Sequence, residues 1–378
     1  MSLPLLQAQS GDNPFRDEPG RSFTMPSRFY LDPEIYEREK DAIFYRSWWF
    51  AGHKSQLDKP GRFITTQIHE QSIVITRTTD GALNAFYNVC QHRGHELVSG
   101  SGSARLLVCP YHAWSYDLDG KLRNAPNTAD MVDFDKCAFS LKSVQVEEFC
   151  GFVFVNLDPD ALPFREQAGD LEAELRHYCP SIDNMVYAHR HSYDVASNWK
   201  VLIDNFLECY HCGVAHKDFV NLVDMKTYQS QTCGIYSSHT SQGASVNSSA
   251  FKFEKGDVEF GYAAWFVWPN LTIWVYPGEA NVSALQIIPS GPDRTIEHLD
   301  WFLPTSEPTK QLKDAMVYMD EVLQPEDIGL CESVQRGLRS KGYNQGRFVI
   351  DNDLSELSEH AVHHFQKMVV DALDARLG

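Results

Sequence analysis

The sequence predicts an α+β protein in two parts, and two patterns carry that expectation. From about residue 60 to 160 apolar side chains recur with period two, whereas before and after this stretch they recur at helical spacing. The 378-residue length permits two or three domains and a sizeable core, so stability alone does not require a metal.

Taken in order, residues 1–30 read as a polar arm. In "LDPEIYEREKDAIFYRSW" Asp32 stands as an N-cap and Pro33 at the first helical position, with Ile35, Ala42 and Ile43 along the inner face of a helix. The runs "RFITTQI", "SIVITRT", "LNAFYNV" and "GFVFVNL" alternate as strands, and Asp80-Gly81 and Asp119-Gly120 are hairpin turn signals. Beyond 160 the pattern gives a helical segment near 165–178, a helix around 200–216, strands from about 225 to 303 and two or three helices between 309 and 375. Leu312, Ala315, Met316, Met319, Val322 and Leu323 fall at helical spacing, as do Leu357, Ala361, Phe365, Val369 and Leu373. Strands bracketed by helices make the second part α+β.

Thirty-three basic against 51 acidic residues give a formal net charge of −18, which argues against nucleic acid or an anionic membrane as the main partner. The nine cysteines are odd in number and scattered, unlike a secreted disulfide scaffold. The start "MSLPLLQAQSGDNPF" lacks the basic and apolar regions of a signal peptide, and Pro269 and Asn270 break the most apolar later stretch. A soluble cytoplasmic protein is expected. There is no 20–50 residue repeat and no Walker sequence, and "GSGSA" is not a dinucleotide-binding fingerprint.

Two constellations carry chemistry. The first is Cys90-x-His92, followed after sixteen intervening residues by Cys109-x-x-His112. A structural Cys₂His₂ zinc is the competing reading, but such sites tend to pair like with like, whereas each loop here holds one thiol and one imidazole. Mixed loops suit a [2Fe–2S] cluster with both cysteines on one iron and both histidines on the other, an arrangement that raises the reduction potential.

The second lies in "NWKVLIDNFLECYHCGVAH", residues 198–216, which concentrates Glu208, His211 and His216. Glu208 and His211 share a helical face, but His211 and His216 would diverge by about 140° on an ideal helix, so the helix must loosen or end, with Gly213 available to permit it. Two imidazoles and a carboxylate form the facial triad of non-haem Fe(II) sites, which leaves one side of the metal open. Cys209-x-x-Cys212 is a poor zinc or redox motif, since no second CxxC and no thioredoxin-like context accompany it.

C-x-H-R-G together with C-P-Y-H-A-W resembles the Rieske domain of the ring-hydroxylating and demethylating Rieske oxygenases. Respiratory-type Rieske proteins carry an additional cysteine in each loop, where this chain has His95 and Tyr111 in the neighbouring positions. The resemblance runs from about residue 25 to 370. It implies a Rieske β-sandwich domain at 46–160 and a helix-grip catalytic domain with an antiparallel sheet, formed by 1–45 and 161–378. It implies Cys90, His92, Cys109 and His112 as cluster ligands. The family takes its iron carboxylate from an aspartate followed five residues on by a glutamate. "PEDIGLCESVQ" matches with Asp327 and Glu332, which assigns His211, His216 and Asp327 to a mononuclear Fe(II), with Glu326 the chief competitor. Glu208 occupies the place of an acidic residue, usually aspartate, that bridges a Rieske histidine of the neighbouring subunit and an iron-ligating histidine and relays the electron. The family further implies a homotrimer and electrons from a separate NAD(P)H reductase of flavin and ferredoxin type, since this chain has no nicotinamide fingerprint.

"ECYHCG", "WPN", "YPGE" and "ESVQRGLRSKGY" are similar to the quaternary-ammonium oxygenases acting on glycine betaine, stachydrine or carnitine. A trimethylammonium head has no N–H to donate and is held best by aromatic faces. Candidates are Trp265, Phe266, Trp268, Trp274 and Tyr276, with Phe206, Tyr210 and Phe219 flanking the triad; in a strand, Trp265 and Phe266 must face opposite sides. The expected reaction is hydroxylation of an N-methyl group of glycine betaine or stachydrine by O₂, with loss of formaldehyde. Carnitine oxygenation with release of trimethylamine, oxidation of an aromatic acid and a Rieske electron carrier without an oxygenase site are the alternatives.

Overall fold

The computed structural model describes residues 11–243, 248–253 and 261–374. Parts of the expected polar arm and of the strand-rich stretch at 225–303 lie outside the described residues. The chain divides into two compact units, Phe44–Glu166 and a second formed by Met1–Ile43 with Gln167–Gly378.

The first unit is built from ten strands: β1 (Trp49–His53), β2 (Arg62–Ile68), β3 (Gln71–Arg77), β4 (Leu83–Tyr87), β5 (Ser101–Ser103), β6 (Leu107–Val108), β7 (Ser115–Tyr116), β8 (Leu122–Asn124), β9 (Ser143–Phe149) and β10 (Phe152–Asn156). They form an antiparallel seven-stranded sheet, β1-β10-β9-β4-β3-β2-β5, and a small sheet, β6-β7-β8. The turn signals fall where expected: Gly81, at φ 87°, closes β3 to β4, and Gly120, at φ 84°, closes β7 to β8. Val74, Leu107, Trp114, Tyr116 and Leu122 belong to one buried cluster that also contains Cys90 and Cys109.

The second unit centres on a seven-stranded antiparallel sheet of β11 (Val186–Val195), β12 (Gln229–Cys233), β13 (Tyr236–Ser241), β14 (Tyr262–Val267), β15 (Leu271–Val275), β16 (Val282–Gly291) and β17 (Arg294–Leu303), in the order β11-β17-β16-β15-β14-β13-β12. Its main helices are α1 (Pro33–Glu39), α2 (Leu171–Tyr178), α3 (Trp199–Phe206), α4 (Lys310–Tyr318), α5 (Gln324–Leu338) and α6 (His360–Asp374). Asp32 caps α1 as the sequence predicts, accepting from the Glu34 N–H at 2.8 Å. Period two separates the sheet faces. Trp265 turns one way and donates its indole N–H to Glu174 of α2, while Phe266 turns the other way onto Phe365 of α6, with ring centroids 5.5 Å apart. One long helix against the sheet is the helix-grip arrangement.

Helix α3 is anchored by buried polar bonds. Lys200 Nζ lies 2.6 Å from Glu39 of α1, both fully buried, and Glu39 also accepts from the Trp199 indole. Asp204 accepts from Tyr30 Oη at 2.6 Å and from Gln366 of α6 at 3.1 Å. Burial pushes its carboxyl up to about 7 despite those bonds.

Candidate metal centres

In the first unit two loops with the same hydrogen-bond pattern present the Cys/His pairs. The Cys90 N–H donates to the His95 carbonyl and the Gly94 N–H to the Cys90 carbonyl; likewise the Cys109 N–H donates to Trp114 and the Ala113 N–H to Cys109. Four residues after each cysteine the backbone turns left-handed, at Gly94 with φ 72° and Ala113 with φ 57°. The loops thereby sort their mixed donors like with like. Both thiols are buried at 2 % exposure, and both imidazoles are exposed with ring centroids 4.7 Å apart. Burial raises the Cys90 thiol above its usual value, and the neighbouring Cys109 adds to the rise. Tyr116 Oη stands 3.4 Å from Cys90 Sγ, and His92 stacks on Trp114. A buried thiol pair beneath an exposed imidazole pair fits a two-iron cluster, which these four side chains would hold through two thiolates and two imidazoles.

In the second unit α3 ends at Phe206, well before Gly213, so the expected helix over 200–216 is two pieces. Glu208 gives the local reason: its carboxylate accepts from the His211 N–H at 3.1 Å, holding a non-helical turn, and helix resumes only over Cys212–Ala215. Gly213 sits inside that short turn rather than at the break. Glu208 and His211 meet through this turn, not along a helical face. Cys209 and Cys212, set aside as a redox pair on sequence grounds, are joined as a disulfide that brackets His211.

The carboxylate side of the site comes from a single helical run. A wider π turn over Met319–Leu323 joins α4 to α5, and Pro325 follows it in the first turn of α5. A π turn accommodates the N–H that proline lacks and offsets the residues after it, a common device beside functional groups. Asp327 Oδ1 thereby comes 3.0 Å from His216 Nε2 and 3.5 Å from His211 Nε2, and the two Nε2 atoms are 3.0 Å apart.

Each histidine has a carboxylate behind it. His211 Nδ1 lies 2.5 Å from Glu208, and His216 Nδ1 lies 2.8 Å from Glu326. A carboxylate on Nδ1 fixes the tautomer that presents Nε2 to a metal. Glu326, the competitor to Asp327, is on the far nitrogen of His216; its orienting role was not foreseen. Burial lowers the proton affinity of His211, but its bonds to Asp327 and Glu208 override this and lift it to about 10. Burial would raise Asp327, yet the two imidazoles hold it at about 2. Two imidazole nitrogens and a carboxylate oxygen converging within 3.5 Å of one another suit a divalent cation. A second group, His189, His191 and Asp320, also gathers three donor atoms but is more exposed.

A cavity opens beside the triad. Its wall carries Phe206, Phe219, Tyr228, Tyr262, Trp274 and Tyr276, the apolar Leu202, Leu285 and Ile287, and three carboxylates, Glu208, Glu297 and Asp327, with no Lys or Arg among the described lining residues. Of the aromatic candidates, Phe206, Phe219, Trp274 and Tyr276 line it. Trp265 and Phe266 are taken up as described, Trp268 packs on Phe365, and Tyr210 is about half exposed. Tyr228, Tyr262 and Glu297 were missed. Tyr262 shares the parity of Phe266 on β14, but period two alone does not say which sheet face holds the cavity.

Among the described residues no helix is long and apolar enough to cross a membrane. The Rieske [2Fe–2S] domain family matches residues 47–144, and the catalytic domain of the ring-hydroxylating alpha subunits matches 182–375. The chain is 39 % identical to the carnitine monooxygenase oxygenase subunit of Acinetobacter pittii, covering 94 % of this chain and 96 % of that protein. It is 31 % identical to the chloroplastic choline monooxygenase of Amaranthus tricolor, over 91 % of this chain and 76 % of the relative. A solved quaternary ammonium Rieske monooxygenase in complex with L-carnitine superposes with TM-score 0.86 at 37 % identity, covering 95 % and 97 % of the two chains. This chain belongs to the Rieske non-haem iron oxygenases, as an alpha subunit whose two domains hold a [2Fe–2S] cluster and a mononuclear iron.

Proposed function

We propose that the protein is a monooxygenase of quaternary ammonium compounds of the carnitine type. The observation that carries this reading is the cavity beside the triad, rich in aromatic faces and carboxylates and with no Lys or Arg among its described lining residues. Such a wall favours a cation that cannot donate a hydrogen bond. Relatives that act on carnitine, similar over nearly the whole chain, move the preferred substrate from the glycine betaine or stachydrine expected above to carnitine.

His211, His216 and Asp327 hold the iron, and Cys90, His92, Cys109 and His112 hold the cluster. Bound iron supplies the activation of O₂. Glu208 and Glu326 keep the Nδ1 protons of the two histidines and aim Nε2 inward. Glu208 also carries the electron path from the Rieske histidine of a neighbouring subunit in a homotrimer, with a separate NAD(P)H reductase as the source. The aromatic wall orients the ammonium head and excludes water from the reacting carbon. In the net reaction the C–H bond next to nitrogen becomes C–OH. One oxygen atom of O₂ enters the substrate and the other leaves as water, with two electrons and two protons consumed. The resulting carbinol then breaks its C–N bond, giving an aldehyde and trimethylamine.

The test is oxygen uptake by iron-loaded protein with a reductase and NADH, offering L-carnitine, choline, glycine betaine and stachydrine in turn. Trimethylamine matched to oxygen with carnitine is expected. Formaldehyde from glycine betaine or stachydrine instead would restore N-demethylation, and turnover of aromatic acids alone would overturn the quaternary-ammonium reading.

A further inference from the structure

Among the described residues, Glu297 is the one carboxylate of the cavity wall that the iron site does not use. It sits on β17, opposite Ile287 of β16 and Tyr193 of β11, on the sheet face that also sends Leu285, Ile287 and Trp274 into the cavity. Glu208 is committed to His211, and Asp327 to both histidines. Glu297 is only 3 % exposed, and its Oε2 has no hydrogen-bond partner among the described residues. Its neighbours along the strand, Thr295 and Leu299, are fully buried. A buried carboxylate oxygen without a partner is costly, and it persists where another molecule supplies the missing interaction.

We propose that Glu297 is the substrate-specificity residue of this site: its carboxylate is the counter-charge for the quaternary ammonium head, with the rings of Phe206, Tyr262, Trp274 and Tyr276 forming the surrounding cage. This rests on the quaternary-ammonium reading above and names the group that enforces it. Burial, and then the charge of Asp327, push the Glu297 carboxyl up to about 8, so its surroundings disfavour the ionised form and an entering cation restores it. Aromatic faces alone accept a tert-butyl group as readily as they enclose a trimethylammonium; a carboxylate separates the two by charge. The same carboxylate rejects an anionic end, which turns a zwitterionic substrate so that its carboxylate points away from Glu297.

The experiment compares L-carnitine with its neutral-headed carbon isostere, 3-hydroxy-5,5-dimethylhexanoate, by calorimetric titration of holoenzyme. Wild type, Glu297→Gln and Glu297→Leu are used, with iron and cluster content measured alongside. Wild type is expected to prefer carnitine by about 100-fold or more. Each variant should lose at least about tenfold of that preference, through weaker carnitine binding with the isostere unchanged or tighter. A preference that survives both variants overturns the role of Glu297 and leaves the quaternary-ammonium reading standing. Equal weakening of both ligands assigns Glu297 to structure and overturns the proposal. No preference in wild type overturns both the proposal and the reading beneath it. Should neither variant fold, the wild-type carnitine complex decides: the ammonium nitrogen must lie within about 5 Å of the Glu297 carboxylate, and a larger separation overturns the proposal.

Discussion

Replacing Glu326 with alanine isolates the carboxylate behind His216 from the carboxylate in front of it. The His216 side chain is 3 % exposed, and its Nδ1 lies 2.8 Å from Glu326 Oε2. Truncation removes the fixed acceptor from Nδ1 and leaves it to solvent entering where the 38 % exposed Glu326 side chain stood, a partner that orients the imidazole less firmly. Loss of such an outer partner weakens metal binding by about 10–100-fold, or about 1.4–2.7 kcal/mol. Glu326→Gln keeps a carbonyl acceptor at nearly the same reach and should stay within about tenfold of wild type. Asp327→Ala removes the proposed ligand outright and should abolish stoichiometric iron. The assay is competition for Fe(II) against a chelator of known affinity, with cluster absorbance as the control for folding of the first unit. The reasoning is refuted if Glu326→Ala abolishes iron while Asp327→Ala merely weakens it, because Glu326 would then be the ligand. It is equally refuted if Glu326→Ala binds iron as wild type does.

Three further outcomes are expected. Lys200→Met strands the fully buried Glu39 and should cost about 3–5 kcal/mol in urea unfolding, whereas adding Glu39→Leu should recover much of the loss; equal stability of the single variant and wild type would contradict this. Asp204 has a folded-state pKa raised to about 7 from 3.8, so the folded state binds the extra proton and stability falls as pH rises through that window. Asp204→Asn removes this penalty, and its stability relative to wild type should improve by on the order of 2 kcal/mol between pH 5.5 and pH 8; a pH-independent difference would contradict the assignment. Trp274→Leu removes one cage ring and should weaken carnitine binding by about 2–30-fold while leaving iron content unchanged, read by calorimetry and metal analysis.

The Rieske loops were legible because each is a local object. A cysteine, a histidine and a left-handed position within five residues make a complete turn, and only the pairing of two such turns is long-range. The cap at Asp32 was legible for the same reason. The break in the 200–216 segment was expected from the divergence of His211 and His216, but its position was not. The glutamate that seemed to belong to a helical face spends its carboxylate on the His211 backbone and ends the helix several residues early. The choice of Asp327 over Glu326 came from the family motif, whereas the orienting role of Glu326 is invisible in sequence because adjacent residues on one helix differ by a rotation. Which of them faces the His216 Nε2 depends on the π turn upstream. Glu297 had a signal in "TIEHLDWFL", a charge at the parity it shares with the buried Thr295, Leu299 and Trp301. Strand parity does not reveal what lies against the face.

The most direct measurement of the central claim is a single turnover without reductase. Holoenzyme whose cluster has been chemically reduced is mixed with O₂ and L-carnitine, and cluster oxidation and trimethylamine are followed together. The account predicts trimethylamine approaching one per chain, cluster oxidation in step with it, and loss of both product and coupling in Asp327→Ala. Cluster oxidation without product from any quaternary ammonium compound, or undiminished product in Asp327→Ala, would contradict it.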